Sequence, residues 1–167
     1  MSGLASTVAG MVKNPEQRHG FDFCTGPWVV TNRRLVKILA GSEEWDEFTS
    51  VVDTRMVLGG TANLDEISFP TKGYHGLTLR LYDPAADEWT LNWVDSRTGR
   101  LDPPLRGRFL TPGRGEFFGQ DVYEGRPIRV RFVWSATDTP NPRWEQSFQL
   151  VGDPTWELNW TMTFARP

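Results

Sequence analysis

Reactive and metal-binding side chains are scarce in this sequence. Cys24 is the only cysteine, and His19 and His75 are the only histidines. One cysteine forms no intrachain disulfide, so the chain needs no oxidising compartment. Two histidines far apart and a lone thiol give no clustered ligand set for zinc, and no metal is expected. Cys24 follows two aromatics and reads as a buried thiol rather than a nucleophile. Lysine is nearly missing as well, with Lys13, Lys37 and Lys72 alone among 18 basic residues. That imbalance carries little weight, because genomic base composition can produce it.

Other absences narrow the function. No apolar run is long enough to cross a bilayer as a helix. A net charge of -3 offers nothing to nucleic acid or to an anionic membrane surface, so neither is expected as a partner. The opening MSGLASTVAGMVKN has no basic segment ahead of its apolar part. A secretory signal is therefore not expected, and a cytoplasmic protein is. There is no Gly-x-Ser-x-Gly, no phosphate-binding loop and no dinucleotide fingerprint, so no cofactor is expected. Gly113-Arg114-Gly115 is too short for such a loop and reads as a hairpin turn. A homodimer stays open as a protein partner.

What the chain does contain is aromatic side chains, with 8 Trp and 10 Phe in 167 residues. A chain of this length makes one domain with a useful core. So many large flat side chains imply a bulky core or an aromatic-lined cavity. Turn signals cut the chain into strand-like runs from Gly26 onward. The runs are Trp28 to Ala40, Trp45 to Leu58, Asn63 to Phe69, Tyr74 to Tyr82 and Glu88 to Asp95. They continue with Leu105 to Leu110, Gly115 to Tyr123, Pro127 to Ser135, Arg143 to Val151 and Thr155 to Ala165. Ten strands on short connections predict an all-β, single up-and-down antiparallel β-barrel. Residues 1–18 read as an N-terminal tail or short helix that lids one end, and 19–167 as the barrel domain.

Period-2 alternation assigns faces. Trp89, Leu91, Trp93 and Asp95 share one face, as do Val130, Phe132 and Trp134. Trp144, Gln146, Phe148 and Leu150 share another, and Trp156, Leu158, Trp160, Met162 and Phe164 a fourth. All four sets are assigned to the interior. Asp65 alternates with Asn63, Ile67 and Phe69 on a further inward face. The predicted ligand-binding residues are Asp65, Trp93, Trp134, Trp144, Gln146 and Trp160. A solid aromatic core is the bland alternative to a tryptophan-walled cavity. The polar intrusions Asp65, Asp95 and Gln146 favour the cavity.

Several stretches resemble a family of small bacterial calycin-like barrels, similar to lipocalins, fatty-acid-binding proteins and nitrobindins. They are Phe21-Asp22-Phe23, Gly26-Pro27-Trp28, Asn32-Arg33-Arg34-Leu35 and the run from Gly76 to Pro84. Trp93 to Arg97, Arg126 to Phe132 and Arg143 to Gln146 complete the likeness, which covers about residue 19 to the end. The family is mostly of unassigned function, and its fold hosts binders, carriers and a few enzymes. The resemblance implies that Trp28 plugs one barrel end and that Arg166 packs over it. Through Gly107-Arg108-Phe109 it also offers Arg108 as the partner of Asp65, against simple alternation on that strand. Haem, which nitrobindins hold through a late-strand ligand, is not implied here, because no histidine follows His75.

The function expected is binding of a hydrophobic small molecule, aromatic ones included, in a Trp-lined barrel cavity. The alternative is a cofactor-free isomerase or cyclase acting on a hydrophobic metabolite. In that reading Asp95 is the acid/base, its pKa raised by an apolar neighbourhood, and Arg108 stabilises charge. A structural protein with a filled core is the third and weakest reading.

Overall fold

The computed structural model describes residues 16–167. Most of the expected N-terminal tail, residues 1–15, lies outside the described residues. All ten expected strands form: β1 (Gly26–Leu35), β2 (Trp45–Val57), β3 (Ala62–Phe69), β4 (Tyr74–Asp83) and β5 (Glu88–Asp95), then β6 (Leu105–Thr111), β7 (Arg114–Tyr123), β8 (Arg126–Ser135), β9 (Arg143–Leu150) and β10 (Glu157–Ala165). Each pairs antiparallel with its neighbours in sequence, and β10 returns to β1 to close the barrel. The closing seam runs from Val29↔Ala165 to Arg34↔Trp160. Closure gives every strand a partner on both sides, although β5 meets β6 only from Trp89 to Leu91.

The alternation that predicts the strands also sorts the faces. On β1, Trp28, Val30 and Asn32 are buried while Thr31 and Arg33 are exposed. On β2 and β3 the exposed partners are Thr49, Asp53, Arg55 and Glu66. Two local departures have physical causes. β1 stops at Leu35 rather than Ala40, because the chain folds inward over the barrel rim. There Ile38 is buried and Leu39 takes φ 56°. The Leu39 backbone amide donates to Glu157 Oε1 at 2.8 Å, which holds that turn. In β10 the register shifts between Leu158 and Trp160 at a bulge containing Asn159. A bulge inserts one residue and flips the faces on either side of it. Trp156 and Leu158 therefore lie on the outside, contrary to the expected inward face. Trp156 packs against Phe118 and lies under the Arg131 guanidinium, 4.9 Å from its ring centroid.

One end of the barrel is plugged. Two single 3-10 turns, Gln17–His19 and Asp22–Cys24, cross it. Between them Phe21 is fully buried, with ring centroids 5.1 Å from Trp89 and 5.0 Å from Phe109. The Gln17 side chain fixes the plug as a strand would, donating to Phe109 O and accepting from Phe109 N, both at 2.8 Å. Trp28 is buried in the same end, and its indole N–H donates to Cys24 O at 2.7 Å. Arg166 covers it as the resemblance implies. Its guanidinium lies 3.6 Å from the Trp28 ring centroid and donates to Pro27 O (3.0 Å) and Phe23 O (3.4 Å). Gly26 has φ 93°, and a Cβ there would stand 3.0 Å from Arg166 Nη1.

Arg166 thus staples the last strand to the plug and the first strand through one cation–π contact and two hydrogen bonds. Arg166→Met is expected to lower unfolding free energy by about 1–2 kcal/mol in urea titrations. An unchanged midpoint would show that the seam holds without it.

Candidate functional site

The other end of the barrel opens into a cavity of about 250 Å³. Its floor is an ion pair. Alternation on β4 carries Tyr74, Gly76, Thr78 and Arg80 inward, and Arg80 is only 5% exposed. Arg80 Nη2 donates to Asp65 Oδ2 at 2.6 Å, and Nη1 to Asn63 Oδ1 at 2.9 Å. The Thr78 backbone amide donates to the other Asp65 oxygen at 3.1 Å. Below, the guanidinium faces the Phe21 ring at 5.2 Å and the Trp134 ring at 5.9 Å. Burial opposes the charge on Arg80, but the Asp65 carboxylate outweighs it and holds the group above its ordinary pKa. Cys24 lies nearby, and burial pushes its thiol up to about 12, so it stays protonated near neutral pH. This thiol is structural.

The wall is aromatic. Trp144 meets Phe132 edge-on at 4.9 Å and Trp160 at 5.7 Å. Trp160 is fixed by its indole N–H, which donates to Asn32 Oδ1 at 3.0 Å, and Asn32 in turn donates to Ser50 Oγ. Gln146 is tied down the same way, donating to Asn159 Oδ1 at 2.9 Å. The bulge that expels Trp156 thus places Asn159 where it orients a cavity residue. Across the barrel, Trp93 fits against β4 only because position 76 is glycine. A Cβ there would come within 1.9 Å of the indole.

The mouth is charged. Asp95 and Arg97 form a close pair, with Nη2 to Oδ2 at 2.8 Å, Nε to Oδ1 at 3.2 Å and the Arg97 amide to Oδ1 at 2.9 Å. The Arg97 guanidinium also sits 3.8 Å over the Tyr74 ring. Hydrogen bonds from Arg97 hold the Asp95 carboxyl below the usual carboxylate range. The expected upward shift is therefore reversed, because the arginine outweighs the apolar neighbours. Asp102 and Asp121 face the mouth from the β5–β6 connection and β7. Partial burial, followed by the charges of Asp121 and Asp95, pushes Asp102 up.

Seven of the predicted residues, Asp65, Trp93, Asp95, Trp134, Trp144, Gln146 and Trp160, line this one cavity. Arg108 does not. It is exposed on the outside of β6, where its guanidinium donates to Ala86 O at 3.2 Å. Alternation on β6 prevails over the resemblance, and the partner of Asp65 is Arg80. Sequence reasoning also missed Arg34 and Tyr74, both cavity-lining. Arg34 shares the inward face of Trp28, Val30 and Asn32, and that spacing was the available signal. Among the described residues no cluster of metal-binding side chains occurs, and no helix is long and apolar enough to cross a membrane.

Fold and site define a closed ten-stranded antiparallel barrel with an internal aromatic cavity, an architecture consistent with the calycin-like class. No protein-family model matches the chain, and no curated protein matches it in sequence.

The Asp95–Arg97 pair yields a pH signature. A carboxylate with a depressed folded-state pKa stabilises the fold above its unfolded value of 3.8 and loses that effect as pH falls through the folded value. Arg97 is half-exposed and screened by solvent, so Asp95→Asn is expected to cost no more than about 1 kcal/mol at neutral pH. Urea unfolding should show wild type and variant converging in acid. A gap that widens in acid would contradict the pairing.

Proposed function

We propose that this protein binds a small molecule with a flat apolar body inside the barrel. The observation that carries the reading is an unfilled interior walled by Trp93, Trp144 and Trp160 above a fully packed plug. Hydrogen bonds to Asn32 and Asn159 hold Trp160 and Gln146 in fixed orientations, so the pocket is preformed. Preformed apolar pockets with a few polar groups are the usual form of ligand sites. A cavity of about 250 Å³ has room for one or two rings. The isomerase or cyclase alternative has less behind it, since Arg97 holds the Asp95 carboxyl below the usual carboxylate range and Arg108 lies outside the cavity.

Uncharged one- and two-ring aromatic probes should quench tryptophan emission on binding. Trp144→Ala and Trp93→Ala should each weaken binding about tenfold, equivalent to about 1.4 kcal/mol, with the circular dichroism of the barrel retained. If no probe binds, or if binding ignores both substitutions, the reading fails and a filled structural barrel takes its place.

A further inference from the structure

We propose that the occupant of the cavity is an aromatic carboxylic acid and that Arg34 receives its carboxylate. The inference rests on the binding reading above and adds the chemistry of the ligand. Three arginines line the cavity, and two of them are matched. Arg80 is paired with Asp65, and Arg97 with Asp95. The Arg34 side chain lines the cavity and makes no hydrogen bond or ion pair with any described residue. The guanidinium lies over the aromatic wall, 4.9 Å from the Trp160 ring centroid. An unpaired guanidinium is a planar fork that matches a carboxylate. Arg34 therefore presents an anion-binding edge beside the surface on which an aromatic ring would stack.

The surrounding charges set orientation. The Tyr74 phenol is pushed up by burial, and the charges of both Arg97 and Arg34 oppose that shift. Both cations thus lie near enough to act on Tyr74. Asp102 and Asp121 line the mouth, and the charges around Asp102 are Asp121, Asp95 and Arg97 rather than Arg34. They repel an anion lying across the opening and leave Arg34 as its place. A single unmatched guanidinium suits a monoanion. A phosphate dianion would require further cations that these aspartates counteract.

The test compares three naphthalene probes of one shape by isothermal titration calorimetry: 2-naphthoate, 2-naphthamide and 2-(aminomethyl)naphthalene. Wild type should bind the naphthoate at least about tenfold tighter than the amide. Arg34→Gln should lower affinity for the naphthoate far more than for the amide and so erase that preference, and Arg34→Lys should keep part of it. Retained amide binding separates loss of an anion site from damage to the pocket. Equal affinity of wild type for acid and amide, or tightest binding of the amine, overturns this proposal and leaves the binding reading standing. Failure of all three probes to bind overturns both. The wild-type comparison decides the matter even if a variant does not fold.

Discussion

The guanidinium of Arg80 divides the barrel interior in two. Beneath it Phe21 and Trp134 form a ceiling to the packed plug, and above it the space is open. A charge in this position is tolerable only because Asp65 and Asn63 take its hydrogen bonds. Removing one partner of a buried pair strands the other and costs about 3–5 kcal/mol. The floor is therefore fixed, and the cavity cannot collapse downward without breaking it. Cys24 lies beside this pair, but its burial keeps the thiol neutral, so it does not compete with Asp65 for Arg80.

The rest of the molecule holds this arrangement in place. The plug is anchored by the Gln17 side chain on β6 and by Arg166 on Trp28. The wall is oriented through Asn32, Ser50 and Asn159, polar residues buried inside an aromatic barrel and joined to the side chains they position. Each holds an indole or amide in one rotamer, which a purely apolar core would not do as strictly. The mouth combines opposite charges on different strands, with Arg34 left unmatched among them.

Much of the architecture was legible in the sequence because strand periodicity has no ambiguity where one face is buried. Ten runs, their antiparallel order and most of the aromatic wall follow from alternation and turn residues. The failures are local. Trp89 and Trp93 are four residues apart and both point inward. Trp156 and Trp160 have the same spacing in a nearly identical stretch, yet they lie on opposite faces because a bulge intervenes. No composition rule marks that bulge, since its cause is the pairing with β9. Arg108 was misplaced by letting a resemblance override alternation, and Arg80 was overlooked although alternation places it opposite Asp65's strand. The pKa direction at Asp95 was hidden because it depends on whether Arg97, two residues on, turns back to meet it.

The central claim is that the aromatic interior is a ligand site with an acid-accepting edge at Arg34. A crystal structure of the protein grown with 2-naphthoate tests it most directly. The account predicts the naphthalene ring inside the barrel against Trp144 and Trp160, with a carboxylate oxygen about 2.7–2.9 Å from the Arg34 guanidinium. An interior filled by repacked side chains, or a probe bound only on the outer surface, would contradict it.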